Sequence, residues 1–565
     1  MTTQAQEINY TVNIENAKNH YANVKIELKG IKDKFIDFKL PVWTPGSYMV
    51  REFSRNIEKV NANNLSIKKI DKNTWRVENK GADITLNYQI YCFEPSVRTS
   101  YIDEDHAFFL PTSLLMFADN HLNLKGKVEF KFSNWTTVST TLKKEGNNVF
   151  SFPNYDELAD SPIEIGNHSE FEFNVAGVNH RVAMVGKHNA DISTFKKDLE
   201  KICQTMFNIV GVHPCKEYLF VIHHVESGGG GLEHANSCVV QMPRFNYSNK
   251  DNYTSFLGLC AHEYFHLWNV KRIRPAALGP FDYSKENYTN LLWVAEGITS
   301  YYDELALYRA GIWTKDNYLT ALNSLFSSVS NRVGSSKMSL HEASHDAWIK
   351  EYRPNENSIN SSISYYSKGA LVAAMLDMEI ITASEGKKNL DDLMKYLYQN
   401  FYLSKNTGFT DKEFYDAVNT VAGKQINISY FVTKPNDENW LLNCKQSFAK
   451  IGINIEESKN LNLYTGINTE IKNEKLYIKS IVSNSPGELA GLQFGDELIA
   501  INDIRIKTNL EDQIKLIGKG NANLLISRNG LIRTVKIEIN QNGPSTYQLI
   551  KPVEENPLFN FWMKQ

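Results

Sequence analysis

Two histidines and a glutamate in the middle of the sequence have the spacing that a hydrolytic metal site needs. The segment His262–His266 reads His-Glu-Tyr-Phe-His, which matches H-E-x-x-H, and it lies in a predicted helix over Thr254–Asn269. Because four residues make about one helical turn, both imidazoles lie on one face and can bind one ion, with Glu263 beside it as the general base. The sequence therefore predicts a zinc site here, with surface or capping roles for these side chains as the alternative.

A hydrolytic zinc ion needs a third protein ligand and an open position for water. The best candidate is Glu296, on a predicted helix over Asn290–Ala310. Breaks at Arg274-Pro275 and Gly279-Pro280 separate the two helices and allow them to pack face to face. Asp303 follows Glu296 by about two turns, so it can orient a ligand histidine from behind. A solvated Glu296 and a structural salt bridge at Asp303 are the alternatives.

A run of glycines lies between a predicted strand over Tyr218–Ile222 and the histidine helix. Gly230 and Gly231 allow the backbone to approach a ligand closely just before the acidic Glu233. A carboxylate in a dry cleft would pair with the α-ammonium group of a substrate and fix cleavage at the first peptide bond. This segment therefore favours an exopeptidase, while the neighbouring His234 receives no predicted role.

The composition is that of a soluble multidomain protein. A chain of 565 residues is too long for one hydrophobic core, and 42% apolar with 22% charged residues is typical of globular proteins. The formal net charge of -3 gives no field that attracts nucleic acid or an anionic membrane, so we expect neither as a partner. No apolar run reaches the 18 residues of a membrane span.

The compartment stays open at the level of sequence. No apolar signal core precedes Asn9, but Thr2–Gln6 resembles the remnant of a cleavage site from which a signal peptide was removed. We therefore expect a periplasmic or exported protein if a signal was removed, and a cytoplasmic one otherwise. The six cysteines lack C-x-x-C spacing, so we expect buried thiols and no cysteine zinc site.

The hydrophobic pattern predicts a multidomain α+β protein. Alternation of apolar and polar residues predicts an N-terminal β-sandwich domain over 1–175. Long runs with helical periodicity predict a mostly helical catalytic domain over 176–448. Strands return in an α+β module over 449–545 with one amphipathic helix at Leu510–Ile517, followed by a tail over 546–565.

Several stretches resemble the glycyl aminopeptidase family of zinc metallopeptidases. They are Pro45-Gly46-Ser47-Tyr48 with Arg51-Glu52, Gly230-Gly231-Leu232-Glu233-His234, and the segment from His262 to Ile273. The resemblance implies an N-terminal β domain, a thermolysin-like (gluzincin) catalytic domain and a C-terminal PDZ domain. The segments Tyr477–Val482, Ser485–Leu492 and Gly495–Asn502 resemble a PDZ domain on their own account.

The same resemblance implies roles for single residues. It implies that Glu233 binds the substrate amine. It also implies that Tyr366, in Tyr366-Ser367-Lys368-Gly369, stabilises the tetrahedral intermediate. On spacing alone, Tyr365 and Tyr366 would be interpreted as aromatic packing, and it is the match to the family motif that favours a catalytic role for Tyr366. One Zn²⁺ per chain and a preference for glycine or alanine as the first residue of a peptide are also implied.

Three functions stay open on sequence grounds. They are a zinc aminopeptidase, a zinc endopeptidase of the same catalytic design, and a non-enzymatic PDZ scaffold with a silent peptidase domain. The partners expected are peptides with a free N-terminus and a peptide or protein ligand of the PDZ domain. The PDZ domain could instead brace the catalytic domain, and Tyr464–Ile467 is its candidate peptide-binding loop.

Overall fold

A computed structural model describes residues 6–81 and 83–564, so most of Thr2–Gln6 lies outside the described residues. The chain divides into two compact units. The first comprises Met1–Thr289, Tyr302–Trp313 and Met394–Glu413, and the second comprises Asn290–Tyr301, Thr314–Leu393 and Phe414–Gln565. The predicted fold class, multidomain α+β with a β-rich N-terminal part and a helical middle, is confirmed. Among the described residues, no helix has the length and apolarity to cross a membrane.

Three sheets form the N-terminal part of the first unit. The largest has seven strands, in the spatial order Lys143–Gly146, Val149–Phe152, Gly126–Lys131, Glu7–Asn13, Tyr21–Lys29, Ile84–Tyr91 and Ile57–Asn61. A second sheet has the order Phe117–Ala118, Phe35–Lys39, Thr74–Glu78 and Ile67–Lys69. A third has the order Thr137–Ser139, Ile163–Gly166, His106–Phe109 and Tyr101–Ile102.

Strict alternation explains why these segments are strands. In Tyr21–Lys29 every second side chain is buried, from Ala22 to Leu28, while the residues between them face outward or are partly exposed. The buried faces of this sheet and the second sheet join in one hydrophobic cluster that includes Phe38, Leu86 and Val128. This core fixes the β-rich region and, through it, the loops that lead to the site.

A five-stranded sheet follows in the same unit, in the order Ser169–Val175, Val178–Val185, Glu217–Val225, Ser237–Pro243 and Gly230–Glu233. The three central strands run parallel and are almost wholly buried, as expected for strands covered on both faces. Gly230–Glu233 pairs antiparallel at the edge, so the glycine run becomes an edge strand. The α-helices wholly within this unit are Tyr155–Ala159, Ile192–Val210 and Lys250–Phe265.

The second unit is mostly helical up to Ala449. Its α-helices there include Lys315–Asn331, Leu340–His345, Ser358–Ser361, Ser367–Ala383, Ser429–Thr433 and Trp440–Ala449. The helices Ile298–Arg309, Leu390–Leu397 and Asp411–Ala422 are divided between the two units.

In the chain as a whole, short 3-10 helices occur at Ala17–Asn19, Phe53–Asn56, Pro111–Ser113, Asn246–Ser248, Ala276–Leu278, Val333–Ser336 and Asp346–Trp348, and π turns at Trp293–Gly297 and Tyr398–Leu403.

The last part of the second unit is a small α+β module. Its main sheet has the order Ile467–Lys472, Lys475–Ile481, Glu497–Ile501, Gly520–Arg528 and Leu531–Ile539, with Ile504–Arg505 beside Glu497–Ile501. Two further strand pairs join Asn454–Ser458 to Thr546–Ile550 and Leu463–Tyr464 to Gln541–Asn542. Its helices are Pro486–Leu489, Leu510–Ile517 and Pro557–Lys564. The stretch predicted as a tail therefore carries a strand and a helix.

All six cysteines are free thiols, and all except the partly buried Cys215 are buried. The predicted absence of a disulfide framework agrees with this arrangement. Burial raises the pKa of the Cys215 thiol to about 11, so this side chain stays protonated near neutral pH. The cysteines therefore serve as packing groups.

Candidate active site

The helix that carries the H-E-x-x-H motif, here called the motif helix, spans Lys250–Phe265. It begins four residues earlier than predicted because Asn249 caps it, accepting a hydrogen bond from the Asn252 amide at 2.9 Å. It ends at Phe265, and His266 is its C-cap residue. The two imidazoles still lie one turn apart, with ring centroids 4.7 Å from each other.

The first histidine of the motif is oriented by a carboxylate. Nδ1 of His262 lies 2.9 Å from Oδ2 of Asp303, which comes from the helix Ile298–Arg309. Burial raises the pKa of Asp303, although the adjacent His262 opposes that shift. In this contact the Nδ1–H of His262 donates a hydrogen bond to the Asp303 carboxylate, so Nε2 is the nitrogen suited to a metal.

The second histidine is oriented by the backbone. Nδ1 of His266 lies 2.6 Å from the carbonyl oxygen of Asn269, in the turn that follows the motif helix. The His266 side chain is almost fully buried. In both histidines Nδ1 is therefore engaged by an oxygen atom, and Nε2 is the nitrogen suited to a metal.

The glutamate of the motif lies against the glycine run. Glu263 is buried, and the strand Gly230–Glu233 passes so close to it that a Cβ atom at Gly231 would overlap its carboxylate. The Gly231 carbonyl accepts a hydrogen bond from Arg98 at 3.2 Å, and the side chain of Arg98 also lies near Gly230. Gly231 is thus required for the approach of this strand to Glu263.

Glu233 lies at the end of the same strand, beside the motif helix. One ligand atom each from Glu233, Glu263 and His266 lies within 4.8 Å of the other two. Glu233 is 3% exposed, and its Oε1 makes no hydrogen bond with any described residue. Gly46, at φ +90°, packs against this carboxylate, and a Cβ atom there would overlap it. The Pro-Gly-Ser turn therefore shapes the environment of Glu233, which the turn signal alone did not predict.

A charged cluster adjoins Glu233. Oδ1 of Asp160 lies 3.0 Å from Nδ1 of His234 and 2.8 Å from Nζ of Lys271. Burial alone would raise the pKa of Asp160, but the charge of Lys271 and the contact with His234 outweigh it and hold that pKa below its usual value. A cavity of about 420 Å³ is lined by Asp160, Lys271 and Glu233. His234, which had no predicted role, thus anchors Asp160 beside the carboxylate of Glu233.

In the second unit, Glu296 lies in the π turn Trp293–Gly297, where the prediction had a regular helix. Glu296 is 1% exposed. This turn packs on the start of the helix Ser367–Ala383 through two glycines, because Gly297 and Gly369 approach so closely that neither position has room for a side chain. The widened turn and the glycine pair fix where the Glu296 carboxylate lies within this unit.

Tyr366 is the N-cap residue of Ser367–Ala383 and its hydroxyl lies 3.2 Å from that of Tyr352. Burial, reinforced by the charge of Glu296, raises the pKa of Tyr366 well above its usual value. The phenol therefore stays protonated and can donate a hydrogen bond. Tyr365 is fully buried and stacks on Tyr366 with ring centroids 4.7 Å apart, which matches the packing role. Sequence spacing gave no sign of Tyr352.

Three family models match the chain. The Peptidase M61 N-terminal domain matches residues 9–167, the M61 glycyl aminopeptidase matches residues 255–372, and a PDZ domain matches residues 477–527. A search of curated proteins gave no match.

Solved structures extend the likeness over the whole chain. An aminopeptidase N family protein from Idiomarina loihiensis is 30% identical, with 99% of this chain and 100% of that chain covered and a TM-score of 0.90. A variant M1 zinc metallopeptidase from Deinococcus radiodurans is 12% identical, with 77% of this chain and 95% of that chain covered and a TM-score of 0.50, which shows a shared fold. The chain thus belongs to the M61 glycyl aminopeptidase family and is a metallo-aminopeptidase.

Proposed function

We propose that this protein is a zinc aminopeptidase that removes an N-terminal glycine or alanine from peptides. The observation that carries the proposal is the buried carboxylate of Glu233 beside Glu263 and His266. A second carboxylate so close to the histidine helix has a clear use in an exopeptidase, because it can receive the ammonium group at the end of a substrate. An endopeptidase would have no need for it.

Zinc would be held by His262, His266 and Glu296. The donor set fits zinc, since Nδ1 of both histidines is engaged by an oxygen atom and Nε2 is therefore the nitrogen suited to a metal. The π turn Trp293–Gly297 continues directly into Ile298–Arg309. Helical geometry therefore supports Glu296 as the third ligand, since it lies two turns before Asp303, the residue that orients His262. The M1 neighbour from Deinococcus radiodurans is named as a zinc enzyme.

Glu233 would bind the α-ammonium group of the substrate. Its Oε1 has no hydrogen-bond donor among the described residues, and a buried carboxylate oxygen of this kind is costly until a cation or donor meets it. The short span from Glu233 to Glu263 and His266 suits a single amino-acid residue between amine and reacting carbonyl. Gly46 and Gly231 would fix the two carboxylates on either side of that residue.

The chemistry follows from these positions. Zinc would supply a Lewis acid that activates water near neutral pH and polarises the scissile carbonyl. Glu263 would take a proton from the attacking water and then deliver it to the leaving amine. Tyr366 would donate a hydrogen bond to the developing oxyanion, a role supported by its raised pKa. Glycine as the first residue is supported by the name of the matching family, and we propose alanine beside it as the next larger side chain.

The PDZ domain is proposed to brace the catalytic region. The side-chain amide of Asn360 donates to the carbonyl of Ile481 at 2.8 Å, and its oxygen accepts from the amide of Ser483 at 2.8 Å. This paired contact ties the end of a PDZ strand to the short helix Ser358–Ser361, a few residues before Tyr366.

We also keep domain boundaries after residues 175, 448 and 545 as proposals. The family matches at 9–167, 255–372 and 477–527 fall within the three proposed domains.

The test is the release of the first residue from glycyl, alanyl and leucyl amides, and from their N-acetylated forms, with zinc-loaded and zinc-depleted protein. We expect zinc-dependent cleavage of the free amines alone, fastest for glycine or alanine. Glu263→Gln should lose about 10²- to 10⁴-fold in kcat, while the exposed Glu200→Gln should behave as wild type. Equal cleavage of the acetylated amides would indicate an endopeptidase, and no cleavage would indicate a PDZ scaffold.

A further inference from the structure

A second group of metal-ligating side chains lies in the first unit, outside the site described above. Glu164 has no exposed side-chain surface, and its two oxygen atoms meet two imidazoles. Oε1 lies 2.7 Å from Nδ1 of His106, and Oε2 lies 2.9 Å from Nε2 of His223. One ligand atom from each of the three residues lies within 4.8 Å of the other two. No arginine or lysine is hydrogen-bonded to Glu164 among the described residues.

The fold brings these residues together from three strands. His106–Phe109 and Ile163–Gly166 are antiparallel neighbours in which His106 is opposite Gly166, so His106 and Glu164 point to the same face. Gly166 keeps this corner open, because a Cβ atom there would lie 3.1 Å from that of His106. His223 arrives from Glu217–Val225 in the five-stranded sheet. The group therefore joins two separate sheets.

A third histidine faces the same corner. His168 is 2% exposed, and its Nε2 lies 2.6 Å from the hydroxyl of Ser139. Its Nδ1 makes no hydrogen bond within the described part of the chain, and it lies 3.5 Å from the point where a Cβ atom of Gly166 would be. His168 is not one of the three residues whose ligand atoms all lie within 4.8 Å of one another, so it borders the cluster as a neighbour.

The corner opens into a cavity of about 1030 Å³ lined by all three histidines. The same cavity is lined by four acidic residues, Asp103, Glu104, Asp105 and Glu226. Lys187 and Arg244 also line the cavity, so its acidic residues outnumber these two basic ones and favour the entry of a cation. The cluster is therefore reachable from solvent even though its carboxylate is buried.

We infer that His106, Glu164 and His223 form a second zinc site that joins the two sheets. Two imidazoles with one carboxylate suit zinc. Such a site would raise the count from one zinc ion per chain to two. It would clamp the strand Glu217–Val225, which belongs to the same sheet as the strand that carries Glu233.

The test is zinc content, measured by inductively coupled plasma mass spectrometry on zinc-loaded and dialysed full-length protein. We expect two zinc ions in wild type and one in each of two double variants, His106→Gln/His223→Gln and His262→Gln/His266→Gln. The control is His121→Gln, whose imidazole meets Asp33 at 2.8 Å away from the cluster. If the wild-type protein holds only one zinc ion and the His106→Gln/His223→Gln variant still holds it, the inference is overturned. A single ion lost only in that variant would support it and contradict the catalytic site instead.

Thermal unfolding gives a second readout and a control for folding. In the His262→Gln/His266→Gln background, added zinc should raise Tm through the second site alone. The shift should disappear when His106→Gln/His223→Gln is added, while the Tm without metal should show that this variant is still folded. A zinc-induced shift that persists without these two histidines would contradict the assignment.

Discussion

The Oδ2 atom of Asp303 lies 2.9 Å from the Nδ1 atom of His262, the first histidine of the H-E-x-x-H motif. The sequence left the role of Asp303 undecided between orienting a ligand histidine and forming a structural salt bridge. The contact is compatible with both roles, and we propose that Asp303 sets the tautomer and angle of His262 as a metal ligand.

Replacing Asp303 should therefore weaken zinc binding. Asp303→Asn keeps the shape of the side chain but removes the charge that holds the Nδ1 proton of His262. We expect a loss of about 10- to 100-fold in zinc affinity, measured by competition with a chromogenic chelator. The control is Glu304→Gln, because Glu304 is the next residue on the same helix and is also a carboxylate. Equal affinities for Asp303→Asn and wild type would show that the contact has only a structural role.

Gly46→Ala should damage the amine site. The new Cβ atom would overlap the Glu233 carboxylate and push it away from its position beside His266. We expect at least about a 10-fold loss in kcat/KM for a free glycyl amide. The matched control is Gly177→Ala, which has a similar backbone at φ +85° but no atom within 4 Å of the new Cβ. An equal loss in both variants would mean that backbone strain is the cause.

Local sequence patterns predicted the elements better than the contacts between them. The motif helix and the helix Leu510–Ile517 were found because their signals repeat within a turn or two. The π turn at Trp293–Gly297 was missed, since one added residue in a turn leaves no mark in a helical period. The contact of Gly46 with Glu233 was missed because the two residues are far apart in the chain and only the folded sheets bring them together.

Asn360→Ala should loosen the PDZ domain. The substitution removes two hydrogen bonds at 2.8 Å and leaves the carbonyl of Ile481 and the amide of Ser483 without their partner. We expect a loss of about 1–3 kcal/mol in local stability, seen as faster hydrogen exchange of the Ser483 amide. Unchanged exchange at Ser483 would contradict the proposed brace.

Lys368→Met should stabilise the protein near neutral pH. The Lys368 ammonium is fully buried and lies 5.1 Å from the centre of the Trp440 ring, and burial lowers its pKa from 10.5 to about 8. Between these two pH values the unfolded chain holds a proton that the folded chain has lost, so wild-type stability should rise with pH from about 8 to 10.5. Urea unfolding should show no such rise in the Met variant. A wild-type stability that falls over this range would contradict the account.

The central claim is that Glu233 binds the substrate amine, and its most direct test compares glycyl and acetyl derivatives of one amide. The two substrates differ only by the amine, so the ratio of their kcat/KM values measures what that group contributes. We predict a ratio of about 10 to 150 in wild type, from one charged hydrogen bond, and a ratio near 1 in Glu233→Gln. The same high ratio in Glu233→Gln as in wild type would contradict the claim.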